Sequence, residues 1–319
     1  MKNYKPCNPD ASRQARDLLD YLSSLRGNGI LLGQHTQTNP QEELTYIKNV
    51  TGKLPALCGF ELLAYSPNIN YKESDEECLT EVEENKGTLE KAIQWAERKG
   101  IITFTWHWFS PLYGKGKAFY QDKTSFDARL ALVEGTQERE AFLNDMDKMA
   151  ELLLPFREKK IPVLWRPFHE AEGKWFWWGS SGPAAAKGLY LDMYDRFVNV
   201  HKLDNLIWVW NSPLSEGYVG DDFCDIISRD VYLKEHTHSD YKEQYDELIS
   251  VTNADKITAL GETGPVPDVS LLLQTRVPWT WFMTWSKSIC SERVTSNEEL
   301  KKAYNSGYGV TLDKLPPLY

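Results

Sequence analysis

Two glutamates occupy positions where a carboxylate is costly to keep. The run Val163-Leu-Trp-Arg-Pro-Phe-His-Glu170 ends on one, and Thr258-Ala-Leu-Gly-Glu262-Thr-Gly264 carries the other, each directly after apolar residues. A charge left unpaired in such surroundings costs several kcal/mol unless structure or function requires it. Taken singly, either glutamate can be a strand-end residue paired with Arg166 or a lysine. Taken together they suit glycoside hydrolysis. Two carboxyls about 5–5.5 Å apart let one attack the anomeric carbon while the other protonates the leaving oxygen, and a wider gap admits a water instead. The linear sequence leaves that separation open.

Aromatic residues crowd the same places. After Glu170 comes Ala-Glu-Gly-Lys-Trp175-Phe-Trp-Trp178, three indoles and a phenyl ring in a polar, glycine-containing loop. Flat aromatic faces stack on the C–H faces of sugar rings, although at least one of Trp177 and Trp178 is expected to pack beneath the loop as structure. Trp106 and Trp108, Trp208 and Trp210, and Trp279, Trp281 and Trp285 lie at other strand ends, some of them as barrel packing. His107 and His169 stand at two of those tips, either to bond substrate or a glutamate, or as buried hydrogen-bonded histidines. His236 and His238 share a charged loop, where solvation outweighs metal binding. His169-Glu170 lacks the second histidine of H-E-x-x-H, Gly179-Ser-Ser-Gly182 lacks the spacing of a nucleophile elbow, and Gly114-Lys-Gly-Lys117 is no P-loop. Neither a metal nor a cofactor is expected.

Eight short apolar runs position these residues: 29–35, 54–63, 101–108, 161–170, 206–211, 225–232, 257–262 and 279–285. Amphipathic stretches at helical spacing separate several of them, at 87–98, 138–159, 184–201 and 241–251. Near-continuous apolar strands alternating with helices imply a parallel sheet. Eight such units in this length predict a (β/α)8 TIM barrel with its cleft at the C-terminal ends of the strands. A doubly wound sheet would want a glycine-rich phosphate loop after the first strand, and Leu32-Gly-Gln-His-Thr36 is not one. No linker or composition shift divides the chain, so residues 1–319 are expected to form one catalytic domain. The long connection from Trp108 to about Gly135 is expected to form a wall of the cleft.

Composition removes other classes. The 319 residues carry 46 Asp and Glu against 36 Lys and Arg, a formal charge of −10, which gives phosphate-rich partners no average attraction. Nucleic acid and anionic membrane are therefore excluded as main partners. Hydrophobic content of 41% with 12 Trp argues for a large folded core. The five cysteines, Cys7, Cys58, Cys78, Cys224 and Cys290, follow no disulfide or zinc pattern. No run approaches the roughly 18 apolar residues of a membrane span, and the start at residues 1–7 has no apolar signal core. The chain is thus cytoplasmic or has lost a signal segment.

The strings Thr105-Trp-His-Trp108, Trp165-Arg-Pro-Phe-His-Glu-Ala-Glu-Gly-Lys-Trp-Phe-Trp-Trp-Gly179, Ile207-Trp-Val-Trp-Asn-Ser212, Ala259-Leu-Gly-Glu-Thr-Gly264 and Trp281-Phe-Met-Thr-Trp285 strongly resemble glycoside hydrolase family 26. The similarity runs from about Leu32 to Trp285, in order. The family's best-known members are endo-β-1,4-mannanases on a (β/α)8 barrel. The resemblance implies Glu170 as general acid/base and Glu262 as nucleophile of a retaining double displacement, with His107, Arg166, His169, Trp175, Tyr232 and Trp285 lining the subsites. Trp108, beside His107, joins these substrate-binding candidates. Many members have an aspartate after Gly-Phe on the second strand where this chain has Gly59-Phe60-Glu61, so no sugar-binding role carries over to Glu61. The implied partner is a β-mannan-type polysaccharide or oligosaccharide: mannan, glucomannan or galactomannan. The implied setting is a monomer that is secreted, at the cell surface or periplasmic, with a cytoplasmic location still open. Mixed-linkage β-glucanase and xylanase activities exist in the same family, and a non-catalytic carbohydrate-binding protein is the alternative from another class. For the enzyme, repulsion from ionised Glu262 should keep Glu170 protonated, while Arg166 and hydroxyl donors hold Glu262 charged.

Overall fold

The computed structural model describes residues 4–37 and 39–318, so the first three residues of the chain start considered above lie outside the described residues. In chain order the helices and strands are α1 (Arg13–Leu25), β1 (Ile30–Thr36), α2 (Glu42–Thr51), β2 (Leu57–Glu61), α3 (Glu76–Asn85), α4 (Thr88–Glu97), β3 (Ile101–Thr105) and α5 (Gln137–Glu158). They continue as β4 (Val163–Arg166), α6 (Trp177–Ser180), α7 (Pro183–Asp195), β5 (Leu206–Asn211), β6 (Ile226–Val231), α8 (Lys242–Ile249), β7 (Ile257–Thr263), α9 (Val269–Thr275), β8 (Trp279–Thr284), α10 (Asn297–Asn305) and β9 (Gly309–Val310). β1 to β8 pair in sequence, all parallel, and β8 closes onto β1, with short β9 added beside β1. This is the (β/α)8 barrel expected from the alternation of apolar runs and helices.

Each of the eight apolar runs contains a strand, and the differences lie at the ends. The fourth strand stops at Arg166, because Pro167 offers no ladder N–H and Phe168 and Glu170 take left-handed backbone angles, φ 51° and 52°. Trp106, His107 and Trp108 likewise follow β3 rather than belonging to it. The expected helix at 184–201 is α7 followed by one π-helical turn, Arg196–Val200. Helix α1 was not among the expected elements. Ser12 caps it, accepting from the N–H of Ala15, and its buried face is Ala15, Leu18, Leu19 and Leu22.

Alternation along the strands sorts the residues into two clusters. One residue from each strand (Leu31, Leu57, Ile101, Leu164, Ile207, Ile226, Ile257 and Trp281) fills the barrel interior and shares an apolar cluster with α1, which closes the N-terminal end. Strand residues of the opposite parity, among them Leu32, Phe60, Phe104, Trp165, Trp208 and Phe282, face the surrounding helices. Two or four residues beyond the interior set, the same inward parity reaches His35, Glu61, Thr105, Arg166, Asn211 and Asp230. The barrel is therefore apolar at its floor and polar at its C-terminal mouth. Among the described residues no helix is long and apolar enough to cross a membrane.

Leu18 is fully buried between α1 and the barrel floor. Leu18→Ala should cost about 2–5 kcal/mol and lower the midpoint of thermal unfolding by several degrees. An unchanged midpoint in calorimetry would mean that α1 does not hold the floor.

Candidate active site

The mouth is organised around one buried cation. Arg166, 1% exposed at the end of β4, donates from Nη2 to Glu262 Oε1 and, at 2.9 Å, to Thr105 Oγ1. Its Nη1 donates to both oxygens of Asp230, at 2.9 and 3.2 Å. The hydroxyl of Tyr232 donates to the other Glu262 oxygen. The ring of Tyr232 is open to solvent while its hydroxyl end reaches into the site, and burial together with the Glu262 charge raises its pKa, keeping it a donor. One oxygen each from Glu170, Asp230 and Glu262 lies within 4.8 Å of the others, the one such three-residue group among the described residues whose donor atoms converge as metal ligands would. Arg166 already bonds two of those three.

Two backbone irregularities aim the carboxyls. Alternation from inward-facing Ile257 and Ala259 would place Glu262 outside with Leu260. The β6–β7 register instead steps from Arg229↔Leu260 to Asp230↔Glu262, so Gly261 is bulged out of the pairing and Glu262 turns inward. Only glycine fits there, since a Cβ on Gly261 would lie 2.4 Å from Asp230 Oδ1 and 2.7 Å from Asn211 Nδ2. At Glu170 the device is the left-handed turn after β4, a conformation worth about 1–3 kcal/mol of strain for a residue with a side chain. Asn211 holds it, its Oδ1 accepting from the Glu170 N–H at 2.7 Å, and Trp178 donates from its indole to the His169 carbonyl at 2.9 Å.

The candidate residues divide clearly. Glu170, Glu262, Arg166, His107, His169, Trp175, Tyr232 and Trp285 gather at the mouth. Trp175 is half exposed and donates from its indole to Glu170 Oε2 at 2.7 Å. Trp285 lies flat on His35, with centroids 3.9 Å apart, and His107 sits edge-on to both Trp285 and His169. Trp108 is a correction. It is 1% exposed, stacks between Trp106 and Phe142, and donates its indole N–H to Asp145, so no face of it remains for a sugar. Trp177 and Trp178 are both fully buried, where packing was expected for at least one. His236 and His238 are exposed beside Glu299, in keeping with a solvated loop. Glu61 does not face the cleft. Fully buried, it accepts from the His107 backbone N–H at 2.9 Å and lies 2.7 Å from His107 Nδ1, fixing that ring.

Sequence reasoning missed Asp230 and Asn211. Both stand at inward parity near the C-terminal end of a strand, Asp230 in line with Ile226 and Ser228, Asn211 in line with Ile207 and Val209. A polar residue at the inward end of a barrel strand was the available signal.

Electrostatics separate the two glutamates. Burial, then the Asp230 charge, pushes the Glu170 carboxyl up to about 7, with the Trp175 indole opposing only in part. Burial and Asp230 also raise Glu262, but Arg166 and the Tyr232 hydroxyl both favour its ionised form. The two titrate as a pair, and their single proton belongs on Glu170, which lacks the guanidinium bond. For His107, burial would lower the pKa, and the Glu61 carboxylate outweighs it and raises it. His169, buried and facing His107 and Arg166, is held well below the usual range and is neutral.

The sequence profile of glycosyl hydrolase family 26 matches residues 7–314. A mannan endo-1,4-beta-mannosidase of Thermothelomyces thermophilus is 41% identical over 319 residues, covering 97% of this chain and 62% of that protein. Mannan endo-1,4-beta-mannosidase A of a Piromyces species is 32% identical, covering 97% of this chain and 50% of its own length. The chain thus spans about half to three-fifths of these two relatives. Among solved structures, a Podospora anserina GH26-CBM35 beta-(1,4)-mannanase superposes with a TM-score of 0.89 at 36% identity, over 99% of this chain and 70% of that one. A beta-mannanase from a symbiotic protist of the termite Reticulitermes speratus, complexed with gluco-manno-oligosaccharide, does so with a TM-score of 0.86 at 31% identity, over 98% of each chain.

Arg166→Met should leave two buried carboxylates uncompensated and cost about 3–5 kcal/mol at pH 7. Without the cation the folded-state pKa of Glu262, already raised by burial, rises further above the unfolded value of about 4.3, so the folded variant binds a proton first and its deficit should shrink as pH falls toward 5. Denaturant unfolding at both pH values checks this, and a deficit independent of pH would contradict the charge-compensating role.

Proposed function

The chain belongs to glycosyl hydrolase family 26, and on that premise we propose that it is a retaining endo-β-1,4-mannanase cleaving internal linkages of mannan, glucomannan or galactomannan. The carrying observation is the spacing of carboxyl oxygens on Glu170 and Glu262, within 4.8 Å. Oxygens that near are in keeping with a retaining pair, whose carboxyl groups stand about 5–5.5 Å apart so that the nucleophile reaches the anomeric carbon directly. Mannan as substrate is supported by the names of the relatives, and glucomannan by the gluco-manno-oligosaccharide complex of the protist enzyme.

In the first step the Glu262 carboxylate, steadied by Arg166 and Tyr232, attacks the anomeric carbon. Glu170 gives its proton to the leaving oxygen. Forming the glycosyl ester consumes the Glu262 charge, which removes one of the repulsions that raised Glu170. The now more acidic Glu170 is ionised and takes a proton from water as that water attacks the ester, which frees Glu262 again. His107, His169, Trp175 and Trp285 surround the sugar at the cleaved bond. The Trp175 and Trp285 indoles offer stacking faces, and Trp175 also orients Glu170.

Residues 1–319 act as one catalytic domain in this proposal, supported by a family match that runs nearly end to end. One chain supplies every residue of the site, which suits a monomer. A polymeric substrate that cannot enter cells suits secretion or display at the cell surface.

Glu262→Ala should abolish turnover. Glu170→Ala should keep measurable activity on aryl glycosides whose leaving group needs no proton, and equal complete loss in both would contradict the division of roles. Initial release of the α-anomer from a β-linked substrate, followed by ¹H NMR, would overturn retention. The alkaline limb of kcat/KM should fall through about pH 7 as Glu170 loses its proton. Because the Trp175 indole favours ionised Glu170, Trp175→Phe should move that limb upward, and a downward move would refute the assignment.

A further inference from the structure

Besides the residues at the cleaved bond, a cleft of about 520 Å³ is lined by Gln37, Glu81, Lys117, Ser286 and Lys287 among others, several of them just past the C-terminal ends of barrel strands. That is within the range of ligand pockets, about 300–1,000 Å³. It adjoins the site through covalent neighbours. Ser286 follows Trp285, and its carbonyl accepts from Gln34 at 3.0 Å, so this side of the cleft is tied to β1. Lys117 stands three residues before Tyr120, whose ring stacks on Phe176 at 5.6 Å, and Phe176 in turn meets His107 at 5.3 Å. The loop that carries Lys117 is clasped to the Trp175 loop, because Gln121 donates its N–H to the Trp175 carbonyl at 2.7 Å and Trp177 to the Phe119 carbonyl at 3.1 Å. The charge of Glu81 acts on both His107 and Tyr120.

The chemistry of this cleft differs from that of the aromatic site beside it. Glu77 and Glu81, one turn apart on α3, both grip the Lys117 ammonium, at 2.7 and 2.8 Å. Lys287 approaches from the opposite wall and pairs with Glu42 at 3.6 Å. Lys117 and Glu81 are each about a quarter exposed, so their free donor and acceptor positions face the cleft while their geometry is fixed. A sugar hydroxyl both donates and accepts. A lysine locked beside a carboxylate offers the complementary pair at one place, with charge-assisted strength and without attracting a small cation that the ammonium already displaces.

We propose that this cleft is an outlying sugar subsite on the His107 and Trp285 side of the cleaved linkage, where Lys117 and Glu81 hydrogen-bond a main-chain hexosyl unit of the polysaccharide. The proposal rests on the endo-mannanase reading and names what that reading leaves open, the means by which a longer chain is gripped. Linear β-1,4-manno-oligosaccharides of increasing length carry no branches and so report on main-chain units alone. In the wild type, kcat/KM should rise when the oligosaccharide becomes long enough to reach the cleft. In Lys117→Met that increment should shrink roughly tenfold, the worth of a charged hydrogen bond. Lys287→Met, outside the Lys117 ion pairs, should shrink it in part, with the unfolding midpoint measured for both variants. The same length dependence as wild type in Lys117→Met, or a proportional loss at every length, would overturn the subsite. A wild type inactive on every β-mannan would instead overturn the functional reading on which the subsite rests.

Discussion

Arg166 is the constraint on which the mouth of the barrel depends. A guanidinium in a protein interior is tolerated only when anions and acceptors meet it, and here Asp230, Glu262 and Thr105 bond both of its terminal nitrogens. The dependence runs both ways. Glu262 is almost fully buried, and a carboxylate there without a cation would neutralise itself. In addition to the backbone ladders, the cluster ties β4 through side chains to β3, β6 and β7, at the level where interior packing changes from Leu and Ile to polar groups. Bottom and top of the barrel thus divide the work: the apolar floor closed by α1 supplies stability, and the polar layer spends part of it on holding charges in place.

Two departures from regular backbone turn that layer into a site. A regular β7 would send Glu262 toward the helices with Leu260, and the extra residue at Gly261 reverses it. A regular continuation of β4 is stopped by Pro167, after which the left-handed turn carries Glu170 over the cleft. Both departures meet at Asn211. Its amide donates to Asp230 at 2.8 Å and its carbonyl oxygen accepts from the Glu170 N–H, so one side chain on β5 ties the acidic group under Glu262 to the strained turn that presents Glu170. Strain of this kind persists only where surrounding bonds over-determine it.

These features explain what the sequence made legible. The barrel could be read because eight β-branched and aromatic runs alternate with helical periodicity, a pattern that depends on local residues only. Glu170 and Glu262 could be read because a charge after an apolar run is conspicuous. Asp230 and Asn211 were missed although they obey the same alternation as the core, since an aspartate or asparagine at a strand end also suits an ordinary turn. Trp108 was assigned to substrate because it neighbours His107. Past the end of β3 the alternation rule lapses, and the indole turns down onto Trp106 and Phe142 while the histidine turns to Glu61. Helix α1 escaped notice because it precedes the first strand and is polar on most of its faces.

The indoles show most clearly why number and neighbourhood are not enough. Trp165, Trp177, Trp178, Trp208, Trp210, Trp279 and Trp281 are fully buried, filling the shell between sheet and helices or, for Trp281, the barrel floor. Trp175 and Trp285 differ from them in having solvent on one side and a fixed partner on the other, the Glu170 carboxyl for one and the His35 ring for the other. A ring that keeps one face free while its orientation is held offers a sugar a surface whose ordering entropy has already been spent. His35 can serve only from within the barrel, at the inward parity that runs Leu31, Gly33, His35. The stacking face at the end of β8 is therefore set by the same alternation that builds the apolar floor, two layers below it.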